Sequence, residues 1–339
     1  MNIPPGIDTP GHCLGRMPYS FRKEVLTSSA GCPWSSDSIS LPFGGEIDLV
    51  LLPKPHAMQI LHTISELTSL CQSWHRDGNT ICLVPTMGYY HAGHEDLMSY
   101  GRTLADKLVV SLFVNPTQFG PSEDLANYPS NHDRDSAIAE KHGVDLLWMP
   151  DAHEMYAEDH ATWVEVPSMS KVLCGVSRPI HFRGVCTVVL KLFHLTQADF
   201  AVFGEKDWQQ QAILRRMVRD LNVPISLHTR PTVREEDGLA LSSRNVYLSK
   251  EERAQAPAIY AGLTYARNLV SNGEKNVTRL RDAVLQTWAK TIPLGRLDYL
   301  TVVDPHSLQP LETITNEALM ACAVRLGKAR LIDNILLTA

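Results

Sequence analysis

Two histidines one helical turn apart, His91 and His94, are the side chains of this 339-residue sequence whose type and spacing point most directly to chemistry. They lie in Val84-Pro-Thr-Met-Gly-Tyr-Tyr-His-Ala-Gly-His-Glu-Asp-Leu97. The run Thr80 to Val84 reads as a strand and Asp96 to Asp106 carries apolar residues at helical spacing, so the stretch is strand, tight loop, helix. Pro85 fixes φ and Gly88 tolerates turn conformations, while Gly93 removes a side chain where the helix begins. The unpaired N–H groups and positive dipole end of a helix start attract anions, so a phosphate chain suits the space above the strand's carboxyl end. Two imidazoles there can donate to the same phosphates and answer charge as it builds on a leaving pyrophosphate. Paired imidazoles also bind zinc, but no nearby Cys and no obvious third His completes such a set.

Four further stretches place polar groups at strand ends or in loops. In Ser111-Leu-Phe-Val-Asn-Pro-Thr-Gln-Phe-Gly120, Gln118 follows a strand, where its amide can donate to a carboxylate and accept from a hydroxyl, or simply cap the loop. In Gly204-Glu-Lys-Asp-Trp-Gln-Gln210, Gly204 allows close backbone approach and Lys206 can neutralise phosphate; Asp207 can hold a ribose hydroxyl or a magnesium-bound water, or serve as a helix cap. The loop Pro231 to Asn245 combines Gly238, Ser242, Ser243 and Arg244, a set able to close over a triphosphate and equally compatible with an ordinary surface loop. Ser177-Arg-Pro-Ile-His-Phe-Arg-Gly184 either recognises an acid or links elements.

The elements that must position these groups alternate strand and helix. One amphipathic helix is expected from Met58, with Ile60, Ile64, Leu67, Cys71 and Trp74 on one face and Gly78 at its end. Strands follow at Lys107 to Val114, Val144 to Met149 and Phe200 to Phe203, and a helix runs from the Gly204 loop to about Leu221. The expected fold is α/β: a Rossmann-like parallel sheet forming a nucleotide-binding domain over 58–249, with ligands at the strands' carboxyl ends, and a smaller C-terminal α+β domain over 250–339. The latter holds helices at about Glu252 to Ser271 and Val277 to Lys290, then three strands near Leu297 to Val303, Ala318 to Arg325 and Ala329 to Leu337.

Composition narrows the classes. With 44% hydrophobic and 20% charged residues and a net charge of −6, the chain reads as globular, without the basic stripe of a nucleic-acid binder. Residues 1–57, rich in Pro, Ser and Gly, read as an irregular extension, and their longest aliphatic run, Leu49 to Leu52, is too short for a signal core or membrane span. The seven cysteines, odd in number and without Cys-x-x-Cys spacing, suit a reducing compartment, so a cytoplasmic protein is expected. A mitochondrial location is the alternative if the extension, with Arg16, Arg22 and Lys23, is a transit peptide; Asp8, Glu24 and Asp37 oppose that.

Taken in order, these stretches resemble the pantothenate synthetase (pantoate–β-alanine ligase) family of His-x-Gly-His nucleotidyl-transferring enzymes. Pro85-Thr-Met-Gly beside the histidines, Leu297-Asp-Tyr-Leu-Thr-Val-Val-Asp304 and Val324 to Asn334 carry the resemblance, from about Met58 to the C-terminus. It implies that Met87, Gly88, Tyr89, Tyr90, His91, Ala92, Gly93 and His94 line an ATP site with Gly204, Glu205, Lys206 and Asp207. Val233, Leu241, Ser242, Ser243 and Arg244 would complete it. His94 would be the catalytic acid, with His91, Lys206 and Arg244 beside the phosphates, and Gln118 and Gln210 would hold pantoate, Gln118 lying also near β-alanine. ATP would be a substrate, accompanied by Mg2+, for which Asp207, Asp133 and Asp135 are candidates; small-molecule substrates and a second copy in a homodimer would be the partners.

The chain departs from the family pattern at Tyr89, Tyr90 and Ala92, where small or aliphatic residues and a Glu are usual, and at Leu241, Ile180 and Ser130. The rival readings are a nucleotidyltransferase with a phosphate acceptor, which would lack the two glutamines, a tRNA-charging enzyme, which would need a basic or anticodon-reading region, and a silent metabolite-binding paralogue.

Overall fold

Six short strands pair in parallel: β1 Gln59–Leu61, β2 Ile81–Thr86, β3 Lys107–Leu112, β4 Leu146–Trp148, β5 Phe200–Gly204 and β6 Ser226–Arg230, in the order β1-β4-β3-β2-β5-β6. These belong to a computed structural model that describes residues 57–121 and 123–339; the expected extension, apart from Ala57, lies outside them. The central strands β2 and β3 are apolar and buried on both faces, as a sheet covered by helices on both sides requires. From β2 the sheet grows through β3 and β4 on one side and through β5 and β6 on the other. That reversal opens a crevice at the carboxyl ends of β2 and β5, where doubly wound sheets bind ligands.

Three local expectations are corrected. The helix expected from Met58 starts later: Gln59–Leu61 is an edge strand paired with β4, and α1 spans Ile64–Arg76. The cause is a capping box, in which Thr63 and Glu66 exchange hydrogen bonds and set the first turn. Strand β6 was not anticipated, because Ser-Leu-His-Thr-Arg is an exposed-edge sequence without an apolar run. The helix expected over Glu252 to Ser271 is two, Lys250–Gln255 and Ala258–Ser271, broken where Pro257 has no N–H to continue the ladder.

The C-terminal sheet is antiparallel: β7 Gly295–Val303, β8 Glu317–Leu326 and β9 Ala329–Thr338 in the order β7-β8-β9. Helices Ala258–Ser271 and Val277–Thr291 cover one face, burying Leu263, Leu280, Val284 and Trp288 against Val302, Met320 and Val324. The opposite face packs Leu319 and Ala321, with Tyr299 and Ile332, into the core that also holds Ile213 and Leu214 of helix Trp208–Asp220. The small sheet therefore reaches the parallel sheet's ligand end. No helix among the described residues is long and apolar enough to cross a membrane.

Candidate active site

At the end of β2 the chain turns through two left-handed residues, Gly88 (φ 84°) and Tyr89 (φ 53°). A Cβ at Gly88 would come within 3.1 Å of the Asp135 carboxylate and of Leu112, so close approach as well as backbone conformation demands glycine. Tyr89 has no such freedom, and its conformation costs about 1–3 kcal/mol. It is held by Asp135, a buried residue in the first turn of α3 (His132–Lys141), which accepts from the N–H groups of Tyr89 (2.6 Å) and Tyr90 (2.8 Å). Arg134 adds a hydrogen bond to the Tyr90 carbonyl (2.9 Å) and lies over the Tyr89 ring. Hydrogen bonds to charged groups contribute about 1.5–3 kcal/mol each, enough to offset the strain.

The helix that follows, α2, spans Ala92–Leu104 and begins at the expected place beside Gly93. Its N-cap is His91. The Gly93 N–H donates to His91 Nδ1 (3.1 Å) and the His91 N–H donates to His94 Nδ1 (3.4 Å), so the two imidazoles cap the helix reciprocally. Because each Nδ1 accepts, each neutral ring carries its proton on Nε2. A Cβ at position 93 would lie 2.9 Å from His91 Cε1, which is why the residue immediately before His94 has no side chain. Burial lowers the His91 pKa to about 4, with Lys206 adding to the effect and Asp207 opposing it. Burial, then His91 and Lys206, take His94 to about 3. At neutral pH both are uncharged N–H donors.

Both rings line a cavity of about 230 Å³ at the carboxyl ends of β2 and β5. Tyr90 is fully buried behind it, its ring 5.4 Å from that of His94 and its hydroxyl accepting from Thr86. The tyrosines that depart from the family pattern thus brace the loop from outside the cavity. One wall is a stripe of helix His181–Thr196: Val185, Val188, Val189 and Leu192, at the i, i+3, i+4, i+7 spacing of a single face. Gly184 lets this helix touch the 116–118 turn, since a Cβ there would sit 2.5 Å from the Thr117 carbonyl oxygen. The buried Asn115 ties the two together, donating to the Gly184 carbonyl (3.2 Å) and to Gln118 Oε1 (3.1 Å) while accepting from Tyr156 (2.9 Å).

The opposite rim comes from Gly204 to Gln210 and from the Pro231 to Asn245 loop. Lys206 points into the cavity, and its backbone is held from the C-terminal sheet: Asn334 Nδ2 donates to the carbonyls of Glu205 and Lys206, both at 3.0 Å. The neighbouring Asp333 receives a two-pronged bond from Arg234 (2.7 and 2.8 Å), and Arg234 stacks on Tyr260 and caps the Gly238 carbonyl. Arg244 reaches the cavity with its guanidinium paired to Asp124 through two 3.1 Å bonds. Its charge is therefore balanced by that carboxylate.

The structure brings together Met87, His91, Gly93, His94, Gly204, Lys206, Asp207, Val233, Leu241, Ser242, Ser243 and Arg244, with both Gln118 and Gln210, around this one cavity. Gly88, Tyr89, Tyr90, Ala92 and Glu205 lie outside its lining; Glu205, for example, accepts from Thr229. Of the three acidic metal candidates, Asp207 lines the cavity, Asp133 is exposed elsewhere, and both oxygens of Asp135 hold the histidine loop. Sequence reasoning missed Asn115, Tyr128 and the valine stripe, and assigned no role to Asp333 or Asn334. The spacing of Val185, Val188, Val189 and Leu192 after Gly184 was the available signal.

A profile of the Pantoate-beta-alanine ligase family matches residues 59–336, nearly all of the described chain. The chain belongs to this family. The pantothenate synthetase of Desulfovibrio desulfuricans is 67% identical over 280 residues, covering 83% of this chain and 99% of its own length. The pantothenate synthetase structure from Thermus thermophilus matches with a TM-score of 0.77 at 44% identity, over 82% of this chain and 99% of that one. A pantoate-beta-alanine ligase structure from Francisella tularensis, complexed with beta-gamma ATP and beta-alanine, matches with a TM-score of 0.67 at 32% identity, over 83% and 98% of the two chains. The family match excludes the N-terminal extension, and the parallel sheet with its small antiparallel companion is the architecture that these structures share.

Proposed function

We propose that the protein condenses pantoate with β-alanine at the expense of ATP, through a pantoyl adenylate, and that His91, His94, Lys206 and Arg244 act on the phosphates. The observation that supports this assignment is that the two histidines, each with its proton on Nε2, line one cavity together with an aliphatic stripe and two primary amides. Pantoate has a dimethyl-substituted carbon between groups that need hydrogen bonds. Val185, Val188, Val189 and Leu192 suit the methyls, and Gln118 and Gln210 suit the hydroxyls and carboxylate.

A carboxylate is a poor electrophile, so it must be activated before an amine attacks it. In the first step a pantoate carboxylate oxygen attacks the α-phosphorus, the bond from that phosphorus to the bridging oxygen breaks, and pyrophosphate leaves. In the second, the β-alanine amine attacks the acyl carbon, losing a proton as AMP departs. The neutral imidazoles, already oriented by the helix start, donate to the oxygens on which charge grows, and Lys206 adds a full charge. Mg2+ bound with ATP would neutralise phosphate charge, and Asp207, which lines the cavity, would be the carboxylate to hold it or its waters. Val233 and Leu241 offer apolar surface to the adenine.

Labelled pyrophosphate should exchange into ATP with Mg2+ and pantoate alone, and AMP should accumulate only after β-alanine is added. Exchange that ignores pantoate, or that requires β-alanine, contradicts the proposed order. Gln210→Ala should raise the KM for pantoate about tenfold with little change for ATP, since a lost amide leaves polar substrate groups unpaired at about 1–3 kcal/mol. Free, buried Cys71, Cys82, Cys174, Cys186 and Cys322 support a reducing compartment, and we assign the protein to the cytoplasm. A homodimer follows from the family resemblance, and light scattering tests it.

A further inference from the structure

Glu95 and Ser99 lie four residues apart on one face of α2, and both reach His142, the C-cap residue of α3. The Glu95 carboxylate lies 2.8 Å from His142 Nε2, and Ser99 Oγ lies 2.9 Å from His142 Nδ1. None of the three lines the cavity at the strand ends. His142 is held from two sides: its backbone N–H bonds to the Ile138 and Ala139 carbonyls, and Arg102 of α2 donates to the Gly143 carbonyl (3.2 Å) just after it. The imidazole is 16% exposed and the Glu95 side chain 27%, whereas Ser99 is open to solvent.

A carboxylate can only accept, so in the neutral ring Nε2 carries the proton and Nδ1 is bare. Ser99 is then the donor, its hydroxyl directed at a base. Thr103 of the same helix instead donates back to the Tyr100 carbonyl (2.7 Å), the ordinary use of a helical hydroxyl. Hydrogen bonds from His142 and then from Lys141 (3.2 Å) hold the Glu95 carboxyl below its usual range. Hydroxyl, imidazole and carboxylate thus stand in the relation of nucleophile, general base and orienting group, outside the cavity described above.

We propose that Ser99 is an acylation site, a serine nucleophile activated by His142 that takes the acyl group of small activated esters. Oγ attacks the ester carbonyl carbon as its proton passes to His142 Nδ1. The bond from that carbon to the leaving oxygen breaks, the oxygen departs with the electron pair, and the proton follows it or passes to water. The product is an O-acylserine. Glu95 is the positioning residue, keeping the ring proton on Nε2. The backbone N–H groups around Ser99 belong to the α2 ladder and give the oxyanion no help, so hydrolysis of the acylserine should lag its formation. The site is one of modification rather than of rapid turnover.

The test treats the full chain with p-nitrophenyl acetate, follows p-nitrophenolate by absorbance and locates the acetyl group by peptide mass spectrometry. A burst with acetyl on Ser99 is expected. His142→Gln should slow acetylation of Ser99 about 100-fold and Glu95→Gln about tenfold, since base assistance of this kind contributes about 10²–10⁴-fold. Ser99→Ala should abolish the burst and leave the melting temperature and pantoate-dependent pyrophosphate exchange unchanged. A burst that survives in Ser99→Ala, acetyl on His142 or a lysine with Ser99 unmodified, or equal acetylation of Ser99 in wild type and His142→Gln overturns the proposal. Should His142→Gln melt lower than wild type, Glu95→Gln decides alone, and acetylation of its Ser99 at the wild-type rate overturns the site.

Discussion

His91 and His94 are positioned by their immediate neighbours, whereas Lys206 is positioned by a residue 128 places later in the chain. The histidine rings are fixed by backbone N–H groups within three residues, so the motif carries its own scaffold. The Lys206 loop has no such closure: its carbonyls depend on Asn334, and the loop that bears Arg244 depends on the Arg234–Asp333 pair. The active site therefore joins a self-supporting half to a half held by the C-terminal sheet, and the two should fail differently. Damage to the first should remove chemistry from a stable fold. Damage to the second should loosen nucleotide binding and stability together.

The largest effect is expected at the self-supporting half. His94→Ala should slow pantoate-dependent pyrophosphate exchange about 10²–10³-fold, the usual loss for one donor to developing charge, with little change in pantoate affinity. Gly93→Ala comes next. The added methyl meets only the His91 ring, so α2 should still form while the ring is displaced, and exchange should fall about 10- to 100-fold with melting temperature nearly unchanged. A large loss of stability in Gly93→Ala would break the contrast.

At the supported half, Asn334→Ala should raise the KM for ATP about tenfold and lower unfolding free energy by about 1–3 kcal/mol, because two loop carbonyls lose their donor. An activity loss without any loss of stability would show that Lys206 is held by its own loop after all.

Smaller still is the pH response of the fold. The folded pKa values of about 4 for His91 and 3 for His94 lie below the value near 6.5 of an unfolded chain. Between these values the unfolded chain binds more protons, so this stabilisation is complete above about pH 6.5 and declines as the pH falls toward 3. His181, lowered to about 3 by burial, contributes in the same direction. Denaturant titrations from pH 7 to 4 should therefore show a shallower decline for His91→Ala/His94→Ala than for wild type, and an unchanged slope would contradict neutral burial of the pair. The smallest effect should come from a chain starting at Met58: the family match begins at residue 59 and neither half of the site precedes it, so activity should stay within about twofold.

Much of the architecture was legible because its signals are local. Apolar runs marked β2, β3, β4 and β5, and amphipathic spacing marked α1 over its buried Leu67, Cys71 and Trp74. Strand β6 escaped because an edge strand needs no apolar run, and the start of α1 was misplaced because hydrophobic periodicity at Ile60 outweighed the Thr63 and Glu66 cap. In the site, Gln118 was singled out at a predicted loop position and Gln210 through the family resemblance, but the side chains that orient Gln118 were not. Asn115 acquires its role only when helix His181–Thr196 approaches through Gly184.

The sequence by itself determined the anion-binding strand-loop-helix, the identity of its donors, the need for glycine between them and the alternating β-α order, since each follows from interactions among residues close in the chain. Tertiary structure alone decided which carboxylates remain available. Asp135 holds the histidine loop, Asp124 balances Arg244, and Asp333 anchors Arg234, so among these acids of the described residues Asp207 is left lining the cavity. It also decided that β9 meets the carboxyl end of a parallel sheet built more than a hundred residues earlier. A charged side chain's function depends on which opposite charge it finds, and in this chain those partners come together only when the two sheets pack.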